Sequence, residues 1–354
     1  MVDKIQSAIH HWTGNLLSYV GELKLINSVL FGLENYLCSA LLLPKIVTKL
    51  VNKLCKDYFW GIPTGKRKMI FQSWKSVCFP WSEGGLNIKE LMSLNKALLS
   101  RWVWLLTQDR VGIWDQWSRD YNMLGSFIWT TKSKPHHAES WRAILKTRDY
   151  LLDIAENQNA AQAILNSCVL RGHFIVRKAY DIFRPKHQKL GWTRVLSCPE
   201  ILPKHRVCTY QADQKVLFTI DRISSRGYPL VNWCCLCKCA SESHRHLFFR
   251  CQYSQHVRRL MLQWLGFPSS WSALDLKDWL YRLLHQTCTP KWKIILMSSC
   301  LAGLVFVIWE ERNNRVFKGC IRSPNQVATQ LKWVLKTCLS VSSVSQLRCW
   351  IENT

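Results

Sequence analysis

Three cysteines and one histidine lie close together in the middle of the chain, at Cys234, Cys237, His246 and Cys251. Their spacing is C-x2-C-x8-H-x4-C. Zinc prefers four thiolate or imidazole ligands in a tetrahedron, and two thiolates separated by two residues can reach one ion from a single tight turn. The histidine and the last cysteine would complete the tetrahedron from a second short element. The pattern therefore predicts zinc as a cofactor of this protein.

The choice of ligands leaves alternatives open. Cys235 or Cys239 could replace one of the chosen cysteines, and His244 could replace His246. We prefer His246 because it leads directly into an apolar run, 247–249, which we expect to form the floor of the site. Buried free thiols and a disulfide are the competing interpretations of the cysteines.

The composition indicates a folded, strongly basic protein. In 354 residues, 48 basic side chains face 23 acidic ones, a formal net charge of +25, and nearly half of all residues are apolar. A chain of this length can form two or three compact units. The charge predicts a polyanionic partner, with RNA or DNA as the first candidate and an anionic membrane surface as the second. No small-molecule substrate is indicated, and the sequence does not reveal an oligomeric state.

The amino terminus lacks the basic and apolar regions of a secretory signal. Sixteen cysteines in a chain that is not exported favour reduced thiols and a metal, so we expect a nuclear or cytoplasmic location. The most apolar segment, 294–309, is short for a membrane span and is predicted to be a buried helix.

Helical periodicity dominates the rest of the chain, and we predict a mostly α fold. Its parts are a helical N-terminal unit, a small zinc-binding domain with short irregular elements and a helical C-terminal unit. The predicted helices lie at 16–33, 47–59, 91–105, 141–152, 274–284, 292–312 and 327–339. Helical periodicity lapses at 125–138, which contains the polar run TTKSKPHH, and this stretch is predicted to be the linker between domains.

The segment CCLCKCASESHRHLFFRC, at 234–251, resembles the zinc-binding domain of plant LINE-type (non-LTR) retrotransposon reverse transcriptases. In that family a cysteine pair is followed by an acidic residue with Ser or Thr, then His-Leu-Phe-Phe and a last cysteine. The similarity extends to Phe174–Tyr180, Leu202–His205 and Thr219–Ile223, and downstream to Trp309–Asn313 and Phe317. The resemblance implies a zinc-binding domain over 174–267.

The N-terminal part resembles the region just after the catalytic palm of the same enzymes. The matching stretches are LSYVGELKLINSVL, LLLPKIV, CKDYFWG, CFPWSEGGLNIKEL and NKALLSRWVW. This implies a thumb-like helical unit over 1–124, which in such enzymes packs on the primer–template duplex. With the linker at 125–138, connecting helices occupy 139–173 and the C-terminal helical unit occupies 268–354.

Basic side chains near the zinc cluster are the predicted contacts with nucleic acid. They are Arg245, Arg250, Arg258 and Arg259, which a zinc-stabilised turn would direct toward phosphates, together with a basic cluster in a loop, Lys66, Arg67 and Lys68. Trp233 and Tyr253 are candidates for stacking on bases.

Catalytic groups are not recognisable. A polymerase requires paired carboxylates that hold two magnesium ions, yet the sequence contains no Asp-Asp step. There is also no G-x-S-x-G elbow and no P-loop. We therefore expect a truncated, non-catalytic reverse transcriptase remnant that binds RNA or DNA with little sequence preference. The alternatives are a zinc-stabilised protein-interaction module, a fragment that needs a palm from another polypeptide, and a transposon relic without function.

Overall fold

The computed structural model is mostly helical, as the sequence predicts. It describes residues 5–7, 9, 19–32, 35–61, 72–108, 112–191, 193–267, 278–279, 281–282, 290–342 and 344–352. These residues form two compact units. The first comprises Met1–Leu17, Gly21–Pro80 and Gly85–His187, and the second comprises Ser18–Val20, Trp81–Gly84 and Gln188–Thr354.

The N-terminal helices are short to medium in length. They are α1 (Tyr19–Gly32), α2 (Asn35–Ala40), α3 (Lys45–Phe59), α4 (Trp74–Cys78), α5 (Leu91–Leu106), α6 (Ile113–Ser118), α7 (Glu139–Ile154), α8 (Gln158–Ser167) and α9 (Val176–Phe183). A 3-10 turn at Trp81–Glu83 follows α4, and a π-helical turn at Arg119–Met123 follows α6. Strands β1 (Val169–Leu170) and β2 (His173–Phe174) pair as a small antiparallel hairpin between α8 and α9.

Helix α5 is the centre of the first unit. It packs against α2, α3, α7, α8 and α9, and Glu90 caps its first turn by accepting hydrogen bonds from Met92 N and Ser93 N. Asn95 is fully buried on this helix and accepts a hydrogen bond from Leu43 N while donating to the carbonyls of Cys38 and Leu41. A buried amide with these partners fixes the loop between α2 and α3.

The predicted linker at 125–138 does not separate two units. Ile128 is buried in the same core as Val103 and Trp141, and the buried Arg148 of α7 donates hydrogen bonds to the carbonyls of Ile128 and Thr131. This polar stretch is therefore a loop within the first unit. Arg148 satisfies two of its backbone carbonyls, and the side chain of Ile128 completes the core.

The remaining helices belong to the second unit. They are α10 (Thr193–Leu196), α11 (Pro203–Asp213), α12 (Ile220–Ser224), α13 (Gln252–Trp264), α14 (Lys291–Lys318), α15 (Pro324–Ser340) and α16 (Ser345–Glu352). A π-helical turn at His246–Arg250 precedes α13. Ser323 and Gln326 form a capping box that starts α15.

Helix α14 is the centre of the second unit and packs against α10, α11, α13, α15 and α16. One core contains both Phe248 and Met261 of the zinc region and Leu304 and Leu331 of the C-terminal helices. The two therefore form one unit rather than the separate domains predicted at 174–267 and 268–354. Helix α9 follows the predicted start of the zinc-binding domain at residue 174. It nevertheless belongs to the first unit, where it packs on α5 through Ala179.

The apolar segment at 294–309 lies inside α14. This helix has the length and the mean hydropathy, 1.9, of a membrane-spanning helix, but 72% of its most apolar window is buried within the structure. A helix that is covered on most sides by others is apolar nearly all round. Its role as the core helix therefore accounts for its composition, as predicted from the length of the apolar segment.

Candidate metal centre

The C-x2-C half of the cluster is a tight turn that closes on itself. Cys234 accepts a hydrogen bond through its carbonyl from Lys238 N at 2.8 Å, and its own N–H donates to the Ala240 carbonyl at 2.8 Å. Lys238 has a φ of 55°, the left-handed conformation that lets the chain turn back immediately after Cys237. Both thiols consequently face the same side of the turn.

The second half is built by the π-helical turn His246–Arg250. Cys251 N donates to the His246 carbonyl at 2.7 Å, and Ser243 Oγ accepts a hydrogen bond from His246 N at 3.1 Å. Cys251 is the N-cap residue of α13. The wider π turn brings the imidazole and the last thiol to one side, while Leu247–Phe249 are buried beneath them, as predicted for the floor of the site.

The ligand atoms of Cys234, Cys237, His246 and Cys251 all lie within 4.8 Å of one another. Cys234 Sγ is 3.9 Å from Cys251 Sγ, and Cys237 Sγ is 3.3 Å from His246 Nε2. Zinc–sulfur bonds of about 2.3 Å in a tetrahedron require sulfur atoms about 3.8 Å apart. The donor set and these distances therefore fit a structural zinc ion held through Nε2 of His246.

The protonation of the ligands also suits a metal. Burial lowers the pKa of His246 and favours the neutral imidazole that metals bind. A hydrogen bond from Cys234, together with the backbone N–H groups at the start of α13, lowers the pKa of Cys251 despite its burial. Donating that hydrogen bond and losing solvent raise the pKa of Cys234. A coordinated divalent cation would favour the thiolate form of both cysteines.

The alternative ligands lie outside the cluster. Cys235 Sγ faces the Arg312 carbonyl at 3.8 Å, and Cys239 is exposed with its thiol 2.9 Å from the Cys237 carbonyl. His244 is buried with Nδ1 3.1 Å from Thr219 Oγ1, and burial lowers its pKa to about 4. The geometry therefore agrees with the four residues that the spacing favours.

Two arginines of α14 hold the metal region from below. Arg312 pairs with Glu242, in the segment between the two halves of the site, with Nη2 2.9 Å from Oε1. Arg315 Nη1 donates to the carbonyls of Cys235 and Leu236 at 3.2 and 3.0 Å, inside the C-x2-C turn. No local pattern predicts these contacts, although Glu242 and Arg312 belong to stretches that carry the resemblance.

The predicted nucleic-acid contacts divide into three groups. Arg245, Arg250 and Arg259 are exposed around the site. Arg258 is 2% exposed, and its guanidinium lies over the Phe249 and Trp279 rings and donates to the Phe249 carbonyl, so it is not available to a phosphate as predicted. Lys66, Arg67 and Lys68 lie outside the described residues.

Comparison with known proteins supports the assignment of a zinc site. A family described as "zinc-binding in reverse transcriptase" matches residues 174–257. A protein of Arabidopsis thaliana named "Putative ribonuclease H protein At1g65750" is 31% identical over 114 residues, which are 32% of this chain and 18% of that protein. The chain thus spans a minor part of this relative. Together, the family match and the Cys3His cluster indicate that residues 174–257 contain a zinc-binding region similar to that of reverse transcriptases.

Proposed function

We propose that the zinc-binding domain binds RNA or DNA with little sequence preference. One observation carries this proposal: each metal ligand has an exposed basic or aromatic neighbour in the sequence. Trp233 precedes Cys234, Lys238 follows Cys237, Arg245 precedes His246 and Arg250 precedes Cys251. A residue adjacent to a zinc ligand has little backbone freedom, so the ion holds these four side chains around one small surface.

The chemistry of that surface suits a nucleic-acid backbone. Phosphate contacts by lysine and arginine supply affinity without reading sequence, and they release counterions. The formal charge of +25 adds a long-range attraction for any polyanion. Arg259, exposed on α13, extends the basic surface beyond the metal turn.

Base stacking is assigned to Trp233 rather than Tyr253. Trp233 is 57% exposed beside the first ligand, which makes its ring accessible to an unpaired base. Tyr253 is 9% exposed; its hydroxyl donates to the Arg322 carbonyl and its ring lies under the Arg315 guanidinium. Tyr253 therefore supports the fold of the domain.

The test is a salt series of binding to a fluorescent 15-nucleotide oligo(U), comparing the full chain with Lys238→Gln/Arg250→Gln. Each lost phosphate contact to a single strand lowers the slope of log affinity against log salt by about 0.7, so the variant is expected to lose about 1.4. Lys291→Gln/Arg348→Gln, which removes two exposed charges elsewhere in the second unit, serves as the matched control.

Zinc content, measured on the same samples, shows whether the variants retain the metal. Affinity of the unaltered chain that is absent or indifferent to salt would contradict the proposal and favour a protein-interaction module. An equal loss of slope in the two double variants would show that the charge acts without a localised surface.

We further infer that the chain derives from a LINE-type retrotransposon of a plant and that its residues bind nucleic acid without catalysing a reaction. The stretches that resemble such enzymes and the relative from Arabidopsis thaliana support the origin. The lack of an Asp-Asp step in the sequence supports the absence of polymerase chemistry. Primer extension by the purified chain with Mg²⁺ and a primed template would overturn this second inference.

A further inference from the structure

Helix α3, in the first unit, presents a stripe of lysines that the zinc domain does not explain. Lys45, Lys49, Lys53 and Lys56 recur at intervals of four, four and three residues. At about 100° per residue these positions fall within an arc of about 80°. The first three are exposed and Lys56 is half-buried. A second face of the helix, centred about 120° from the lysines, is buried through Thr48, Val51, Cys55 and Phe59.

The lysine stripe has no ion-pair partner among the residues that the structure describes. Within the described part of the chain, none of its four ammonium groups forms a salt bridge. From Lys45 to Lys56 the helix rises about 16 Å. Because successive phosphates of one strand advance by about 3.4 Å along a duplex axis, and by more in an extended single strand, the stripe spans at most about five nucleotides. Like charges at this density are stabilised when a polyanion covers them.

A cavity of about 280 Å³ opens beside the stripe. Three aromatic rings line it, from Trp74, Phe79 and Tyr180, and Asn52 contributes from α3 itself. Asn52 lies on the same face as the lysines, one position before Lys53. The volume of the cavity is close to the lower end of the range for ligand pockets, about 300–1,000 Å³. A cavity of this size suits one planar ring system.

Hydrogen bonds hold the aromatic walls in place. Trp74 Nε1 donates to Asn52 Oδ1 at 3.4 Å, and Tyr180 Oη accepts from Glu90 N at 2.9 Å. Lys75, exposed at the rim, adds a cation on the side of α4. The first unit thus places a preformed aromatic cavity next to a row of cations.

We propose that α3 and this cavity bind single-stranded nucleic acid, with phosphates along the lysine stripe and one unpaired base in the aromatic cavity. Aromatic side chains accept any base by stacking, while a lysine row follows the backbone. A base in a duplex is stacked between its neighbours and paired with the opposite strand. It does not enter such a cavity without being extruded. The site lies in the first unit and is therefore separate from the surface proposed around the zinc ion.

The direct test is photo-cross-linking of the full chain to a 15-nucleotide oligo(U) that carries 5-iodouracil at one central position. Iodouracil couples on irradiation to aromatic side chains that stack on it, and peptide mass spectrometry locates the adduct. We expect adducts at Trp74, Phe79 or Tyr180. Unlabelled oligo(U) should compete at least tenfold better than a duplex of the same length.

Charge reversal tests the lysine stripe. Lys49→Glu/Lys53→Glu changes two exposed positions and should lower the yield of cavity adducts at least tenfold. Lys132→Glu/Lys134→Glu, an equal charge change at exposed positions of the same unit, should leave the yield within twofold. Lys238→Gln/Arg250→Gln should also preserve these adducts, which distinguishes this site from the zinc surface.

Three results would overturn the proposal. The first is the absence of adducts on all three aromatic residues of the cavity in the unaltered chain. The second is a duplex that competes as well as the single strand. The third is binding to phosphatidylserine vesicles that Lys49→Glu/Lys53→Glu abolishes while oligonucleotide cross-linking is unaffected, which would assign the stripe to a membrane surface instead.

Discussion

Glu242 and Arg312, 70 residues apart in the sequence, form a buried ion pair in which Nη2 lies 2.9 Å from Oε1. The side chains are 0% and 4% exposed, respectively. The same carboxylate accepts a hydrogen bond from Ile220 N at 2.9 Å, and the guanidinium lies over the Trp309 ring. The pair therefore connects the core helix α14 to the segment between the two halves of the zinc site.

Glu242→Gln should destabilise the second unit strongly. Removing one member of a buried pair leaves an uncompensated charge and costs about 3–5 kcal/mol, measured as the free energy of unfolding in urea. Glu139→Gln is the matched control, because Glu139 pairs with Arg142 at the surface and such pairs contribute less than about 1 kcal/mol. Glu242→Gln/Arg312→Met should recover part of the loss, since no charge remains buried. Equal costs for the two single variants would contradict the role given to this pair.

Substitution of a zinc ligand should lower the zinc content of the protein, whereas substitution of the neighbouring Cys239 should not. Cys237→Ser or His246→Ala is expected to lose one equivalent of zinc, because three ligands hold a structural ion much less well than four. Cys239→Ser should retain it, since the exposed thiol of Cys239 is outside the cluster. Elemental analysis of the dialysed proteins gives the stoichiometry.

The unfolding of the two units provides an independent check on the same variants. Loss of zinc should unfold the metal region and expose the core around Phe248, because the ligands that bind the ion come from both halves of the site. Proteolysis of Cys237→Ser is therefore expected to cut within 234–251 first and to spare α5. Zinc retained by Cys237→Ser but lost by Cys239→Ser would require a different ligand set.

The zinc site was predictable because its information is local. Eighteen consecutive residues, 234–251, contain all four ligands and the apolar run beneath them. The helices were predictable for the same reason: the pattern at 91–105 is observed as Leu91–Leu106, and the pattern at 292–312 lies within Lys291–Lys318. Regular spacing of apolar residues suffices for elements of this length.

Long-range pairings were not predictable from local patterns. Arg258 has the sequence environment of a surface residue, yet it is buried because Trp279 and Phe249 cover its guanidinium. The sequence pattern at 125–138 is typical of a linker, but in the structure Arg148 donates hydrogen bonds to two of its carbonyls. In both cases the deciding partner belongs to another segment, and a single sequence does not show which segments meet.

His205 should make the second unit sensitive to moderate acid. It is 3% exposed, its ring packs on Phe306, and burial lowers its pKa to about 4. The unfolded chain binds a proton at about pH 6.5, whereas the folded protein does not until about pH 4. Stability is therefore fully present above pH 6.5 and falls as the pH is lowered toward 4, by about 3 kcal/mol in total.

His205→Gln keeps a polar side chain of similar length without a titrating ring. Its free energy of unfolding, measured at intervals from pH 7 to pH 4, should vary less than that of the unaltered protein by about 3 kcal/mol. His256→Gln, at an exposed position of the same unit, is the control and should follow the unaltered curve. Because zinc release at low pH affects all three proteins, the difference between curves is the informative quantity, and parallel curves would refute the assignment.

Gly85 occupies a turn that no other residue fits. A Cβ at this position would lie 1.9 Å from the Phe79 carbonyl oxygen, which itself accepts a hydrogen bond from Asn87 N at 2.9 Å. Gly85→Ala must open this backbone contact, so we expect a loss of at least about 1–3 kcal/mol in the free energy of unfolding, the usual cost of overpacking. Gly266→Asn is the control, because Gly266 has open space around it and asparagine tolerates its positive φ. Equal free energies of unfolding for the two variants would show that the turn adapts without cost.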